Sequence, residues 1–248
     1  MTMNKWALVT GGAKRIGEAI ALTLHKRDVN LLLHYKGSKA EAMALADKLN
    51  QMREGSCQTL QADLSTERGV ESLVQHISTH RLPLSALINN ASLFVPDNKA
   101  SDWQTCQQLL NLNLLAPYHL ATRLGDNLAN NQGSVINLVD IHGDRPLKHH
   151  GLYSISKAGL KMATQALAQE LAPKVRVNGI SPGAILWPAQ SDQDAIERVT
   201  RAIPLERPGK TKDIADAVSF ILDSSYLNGQ VIAIDGGRSA TGYTGADG

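Results

Sequence analysis

Short apolar runs alternate with longer stretches whose apolar positions recur every three or four residues, and this continues through the whole chain. A brief apolar run bounded by glycine or polar clusters reads as a buried strand; the amphipathic stretch reads as the helix that crosses back over the sheet. The pattern predicts strands at Trp6–Thr10, Val29–Tyr35, Cys57–Gln61, Ala86–Asn90, Ser134–Val139, Val175–Ile180 and Gln230–Ile234. Helices are predicted at Ile16–Lys26, Lys39–Met52, Glu67–Ser78, Trp103–Leu128, Tyr153–Leu171 and Ile214–Leu222. Strands joined through helices form a parallel sheet covered on both faces, so the expected class is α/β: one doubly wound domain over residues 1–248 with a seven-stranded parallel sheet. Ligands bind such sheets beyond the carboxyl ends of the strands, which is where the chemistry should be sought.

Two stretches break the rhythm, Ile141–Gly151 and the longer Pro182–Pro208; the second contains the expected substrate loop at about 184–208. Composition adds exclusions. With 43% hydrophobic and 19% charged residues the chain has the make-up of a globular domain rather than a disordered or fibrous one. Lys and Arg (25) nearly balance Asp and Glu (23), and no basic block stands out, so nucleic acid is not expected as a partner. Cys57 and Cys106 lack metal-ligand spacing and read as reduced thiols; no metal is expected. No apolar run reaches the ~20 residues that span a bilayer, and the amino terminus runs straight into a strand without a signal-peptide core. The expected location is the cytoplasm.

The first strand leads into Thr10-Gly11-Gly12-Ala13-Lys14-Arg15-Ile16-Gly17, which opens directly into a helix. Glycines between a first strand and a first helix let backbone N–H groups approach a pyrophosphate at the positive helix end, the Rossmann-type arrangement. That arrangement ordinarily has an acid at the end of the second strand to bind the adenosine ribose. This chain has His34-Tyr35-Lys36-Gly37-Ser38 instead. Lys14, Lys36 and the Ser38 hydroxyl suit a 2′-phosphate, so the expected cofactor is NADPH/NADP+ rather than NAD(H). Asp63, just after the third strand, is placed either to hydrogen-bond adenine or to cap a helix.

Tyr153 and Lys157 stand four apart and share a helix face, so the ammonium can approach the phenol and favour its ionised form, which suits Tyr153 to proton donation near neutral pH. Taken together, Thr10-Gly11 with Gly17, Asp63, Asn89-Asn90-Ala91, Asn113, Tyr153 with Lys157, Pro182-Gly183 and Asp235-Gly236-Gly237 resemble, in order and spacing and over nearly the whole chain, the short-chain dehydrogenase/reductase family. The resemblance implies an oxidoreductase in which Asn113, Tyr153 and Lys157 are catalytic, Asn113 holding a water that links Lys157 to solvent. The cofactor residues it implies run from Gly11, Lys14, Arg15 and Ile16 through Tyr35, Lys36, Ser38, Asp63 and Leu64. They continue with Asn90, Ala91, Ser92, Tyr153, Lys157, Pro182 and Gly183.

Three departures point to the substrate. Asp140 stands where the family has a catalytic serine; a carboxylate accepts hydrogen bonds and repels a carbonyl oxygen, so it disfavours a simple ketone and suits a nitrogen heterocycle. Arg15 replaces the middle glycine of the turn, and Ser92-Leu93-Phe94 follows Asn89-Asn90-Ala91. These features resemble the pteridine reductase branch, in which residues matching Phe94, Arg15 and Ser92 sandwich the pterin, reach its polar edge and touch both ligands. Where that branch carries an arginine for the 2′-phosphate, this chain has Gly37. The resemblance implies an NADPH-dependent pterin reductase whose substrate site holds Arg15, Ser92, Phe94, Asp140, Tyr153, Leu186 and Trp187. Two alternatives stay open: a 3-oxoacyl thioester or small-ketone reductase of the same fold, and a non-catalytic NADP(H)-sensing or scaffold protein. Surplus apolar positions on the helices Trp103–Leu128 and Tyr153–Leu171, including Leu160, Met162, Ala163 and Leu167, suggest subunit contacts, and the family resemblance implies a homotetramer.

Overall fold

The computed structural model describes residues 5–100, 102–187 and 192–241. Its first strand, β1 (Trp6–Val9), shows how the chain builds layers: Trp6 and Leu8 enter the core on one face of the sheet, Ala7 and Val9 the core on the other. Successive strand side chains point to opposite faces, so a strand apolar at every position must be covered on both. Beside β1 lie β2 (Asn30–Tyr35) and β3 (Cys57–Gln61) on one side. On the other side lie β4 (Leu84–Asn89), β5 (Ser134–Leu138), β6 (Arg176–Pro182) and β7 (Val231–Ile234). All pairings are parallel, in the order β3-β2-β1-β4-β5-β6-β7. The order reverses between β1 and β4, which opens a crevice at their carboxyl ends.

Helices α1 (Arg15–His25) and α2 (Lys39–Met52) follow the first two strands, and α3 (Glu67–Thr79) follows β3. The long helix expected at Trp103–Leu128 is instead α4 (Trp103–Leu110), a π-helical turn at Asn111–Leu115, α5 (Ala116–Arg123) and α6 (Gly125–Asn130). Pro117, at the start of α5, has no N–H to give, so the regular ladder cannot pass through this point. Beyond β5 come a short 3-10 turn (Ile141–Gly143) and α7 (Gly151–Glu170). The expected irregular segment Pro182–Pro208 contains α8 (Gln193–Arg201), and α9 (Thr211–Asp223) leads into β7. One core, with Leu73, Ile77, Leu120 and Leu167, lies between the sheet and α3, α5 and α7; the other, with Ile20, Leu24, Ile214 and Val218, lies under α1 and α9. No described helix is long and apolar enough to cross a membrane.

Candidate active site

The turn after β1 is shaped for backbone rather than side-chain recognition. Gly11 has φ +61°, and a Cβ on Gly17 would drive into the Gly11 carbonyl oxygen, so both positions need glycine for this close turn. Lys14, the residue before α1, gives no side-chain cap, so the first N–H groups of α1 face the crevice without a capping partner. Arg15 also sits at positive φ (+58°), where an L side chain is strained. Buried Thr10 and His34 and half-buried Asn90 hold the turn. Thr10 Oγ1 accepts from the Asn90 and Ala91 N–H groups at 2.9 and 3.0 Å, while Asn90 Nδ2 donates to the Thr10 and Gly11 carbonyls at 2.9 and 3.0 Å. His34 Nδ1 accepts from the Gly11 N–H at 3.2 Å, which makes Nε2 the protonated nitrogen that donates to the Ala62 carbonyl at 3.0 Å. Burial drives the His34 pKa down to about 4, so the ring works as a neutral bridge.

Around the adenosine end, Lys36 pairs with Asp63 at 2.8 Å and Lys14 with Glu41 at 3.5 Å, all four partly or well exposed. The Ser38 side chain makes no cap bond at the start of α2. Asp63 does not cap α3: Thr66 does, and Asp63 Oδ1 accepts from the Ser65 N–H and hydroxyl. Tyr35 and Leu64 are buried, Tyr35 against Ala13 and Ala42 and Leu64 in the sheet core, so their side chains pack rather than face a ligand. Ile16 likewise packs against the core beneath α1.

At the far end of the crevice, β5 delivers Asp140 and α7 delivers Tyr153 and Lys157 to one point. The Tyr153 hydroxyl donates to Asp140 Oδ2 at 2.8 Å, while Asp140 Oδ1 accepts from the His142 N–H at 2.9 Å. Asp140 is therefore a local cap and a partner of the phenol at once. Burial, and then the negative Asp140, push the phenol pKa upward. The expected lowering by Lys157 is not what the geometry produces, because Lys157 Nζ donates to the Leu138 carbonyl at 2.8 Å and lies 5.7 Å from the phenol ring centroid. Burial lowers the Lys157 pKa to about 8, against the opposing pull of Asp140. Phe94 is half exposed, stacked on His150 (centroids 4.4 Å apart, planes 11° apart) with Tyr153 edge-on at 4.8 Å.

The Asn113 side chain ties the loop after β4 to α7. Its Oδ1 accepts from Ser92 Oγ (3.2 Å) and the Leu93 N–H (2.8 Å), and its Nδ2 donates to the Leu93 carbonyl (2.9 Å) and Ser156 Oγ (3.1 Å). That uses its side-chain capacity in bracing the loop after β4 against α7. Ala91 and Ser92 follow β4 into the crevice, and Pro182 and Gly183 end β6 beside Asp235, where a Cβ on Gly183 would collide with the Asp235 side chain. Leu186 is exposed and Trp187 half-buried. The part of the expected substrate loop at 188–191 lies outside the described residues. Sequence reading missed His34 and the hydroxyl bridge of Thr10; a histidine buried beside a glycine turn was the available signal for the first.

A glycine turn at the switch point, with a buried phenol on α7 bonded to a carboxylate beyond β5 and a buried ammonium one helical turn further on, is the arrangement of a nicotinamide-dinucleotide oxidoreductase. The glycines and uncapped helix start fit the phosphates of such a cofactor. A family model described as enoyl-(acyl carrier protein) reductase matches residues 11–239. Pteridine reductase 1 of Leishmania tarentolae is 34% identical over 278 residues, covering 95% of this chain and 96% of its own. Dihydromonapterin reductase of Citrobacter koseri is 30% identical (93% and 95% covered), and 3-oxoacyl-[acyl-carrier-protein] reductase FabG of Staphylococcus epidermidis is 31% identical (95% and 99%). The chain belongs to the short-chain dehydrogenase/reductase family, whose members use NAD(H) or NADP(H).

Proposed function

We propose that this chain is a single-domain NADPH-dependent reductase of pterins, taking dihydropterin to tetrahydropterin and also accepting oxidised pterin. The observation that carries the reading is the 2.8 Å bond from the Tyr153 hydroxyl to Asp140 beside the Phe94 ring. A carboxylate offers only lone pairs, and after binding Tyr153 and His142 it has lone pairs left for the N–H groups of a pterin. A ketone oxygen in the same place would be repelled. Phe94 gives a flat face on which a heterocycle can stack.

When bound, NADPH would supply the hydride for a carbon of the ring C=N bond. Tyr153 would deliver the proton to the neighbouring nitrogen and regain one from solvent, while the Asp140 carboxylate accepts from the phenol and orients it. Lys157, anchored on Leu138, lends positive charge as the phenol gives up its proton. Asn113 keeps Ser92 and Leu93 in register with α7. Lys14, Lys36 and Ser38 would receive the 2′-phosphate, for which Glu41 and Asp63 now stand in as partners of the two lysines. Arg15 and Ser92 would meet the edges of pterin and cofactor, with Leu186 and Trp187 at the outer wall.

Purified protein with NADPH and dihydrobiopterin or dihydromonapterin should show pterin-dependent loss of nicotinamide absorbance. Asp140→Ser should lower that rate about 100-fold, the scale of one lost acid–base partner, with NADPH binding intact. Equal rates in both proteins would refute the assignment. The similarity to 3-oxoacyl-[acyl-carrier-protein] reductase favours one rival, reduction of an acyl thioester ketone. Acetoacetyl thioester assayed in parallel decides between them, and turnover of either substrate dismisses a purely sensing or scaffold role. We also read the chain as a cytoplasmic homotetramer. Leu160, Ala163 and Leu167 turn inward to the core, so the apolar surface left for subunit contacts is Trp103, Leu115, Tyr118, Ile155 and Met162 on α4, α5, α7 and the π turn.

A further inference from the structure

The first turn of α7 carries Tyr153, yet nothing local caps it: His150, which precedes it, makes no side-chain cap bond. The cap comes from another segment. Asp97, three residues beyond Phe94 in the loop after β4, accepts from the Gly151 N–H through Oδ2 (2.9 Å) and from the Leu152 N–H through Oδ1 (3.3 Å). Its own backbone N–H donates to the His149 carbonyl at 2.8 Å. His149 sits at φ +63°, a strained conformation that must be held from outside. Between these bonds and β4, Phe94 lies flat on His150. Four consecutive residues, 149 to 152, are thus gripped by Phe94 and Asp97. The Asp97 carboxyl is held below the usual carboxylate range, chiefly by the Gly151 N–H, so it keeps the charge that favours the helix end.

We propose that Asp97 is a positioning residue for the reaction: it clamps the loop bearing Ser92 and Phe94 to the start of α7, holding the stacking wall and the Tyr153 hydroxyl at one fixed separation. Asn113 fastens the same loop to α7 at Ser156, nearer the sheet, so Asp97 is the outer of two fasteners and the one at the mouth of the site. Loosening it leaves the cofactor cradle untouched and lets the gap between Phe94 and Tyr153 vary. A flat substrate loses stacking first. The effect on substrate rests on the pterin reading above; the clamp itself does not.

The test compares wild type, Asp97→Ala and Asp97→Asn as full-length protein. Asp97→Ala should raise the KM for dihydropterin about tenfold, the order of one lost cap, with a smaller fall in kcat. NADPH affinity, followed by its fluorescence, should stay at the wild-type value. Amide hydrogen exchange at Gly151 and Leu152 should quicken by a similar factor. Asp97→Asn, which keeps an oxygen acceptor for one N–H, should restore most of the KM. Unchanged KM and exchange in Asp97→Ala would overturn the proposal, and so would a parallel loss of NADPH affinity, the mark of general destabilisation. If wild type reduces no pterin, the substrate reading fails, and the exchange comparison still decides the clamp.

Discussion

His34 should make this protein acid-labile through one buried ring. Its side chain is 2% exposed, and both nitrogens are committed in the neutral form: Nδ1 accepts from Gly11, and Nε2 donates to Ala62. A proton on Nδ1 would turn that acceptor toward another donor. The folded pKa is accordingly lowered from 6.5 to about 4, with Asp63 the one charge that opposes the shift. Above pH 6.5 neither folded nor unfolded chain holds this proton, and the ring adds no pH dependence. Between 6.5 and 4 the unfolded chain binds the proton and the native chain does not, so stability falls as pH falls. At about 1.36 kcal/mol per pH unit the full loss below pH 4 is about 3 kcal/mol, of which about 2 kcal/mol has gone by pH 5. Against the 5–15 kcal/mol of an ordinary domain this is a large share. Urea unfolding at pH 7 and pH 5 measures it: wild type should lose about 2 kcal/mol more than His34→Gln between the two pH values. Other histidines lowered by burial, His25 and His76, are common to both proteins and cancel. If the variant loses as much as wild type over this interval, the buried neutral bridge is wrong.

Lys157 carries a pKa of about 8, so kcat/KM should be flat below that pH and decline above it as the ammonium is lost; a profile flat to pH 10 would count against its electrostatic role. Arg15 pays for its left-handed backbone with about 1–2 kcal/mol, and glycine would remove that strain at the cost of about 0.5–1 kcal/mol through its freer unfolded state. Arg15→Gly should therefore hold or slightly raise the urea midpoint while raising the pterin KM; a clear drop in stability would show that the arginine is structurally needed. The exposed apolar face of α4, α5 and α7 should be covered in solution, and sedimentation at micromolar concentration should give four chains per particle. A monomer under those conditions would dismiss the tetramer.

Much of this architecture could be read from residues near one another in the chain. Strand and helix periodicities need only a window of ten or so positions, and the Gly11–Gly17 turn and the Tyr153–Lys157 spacing are local patterns of the same kind. The π-helical turn at Asn111–Leu115 is less legible, because Pro117 acts there through a missing bond inside an otherwise helical pattern. What the chain order could not disclose are bonds between distant segments. Thr10 meets Asn90 and Ala91 across some 80 positions, Asp97 meets Gly151 across 54, and Asn113 meets Ser156 across 43. None of these leaves a periodicity, since each joins a side chain to a polar group that the fold alone brings within reach. The direction of the phenol's pKa was decided in the same way: Lys157 shares its helix face, but burial and an aspartate just beyond β5 govern its proton. Local pattern determined which elements form and how they alternate; packing determined which polar groups lost water and therefore had to find one another.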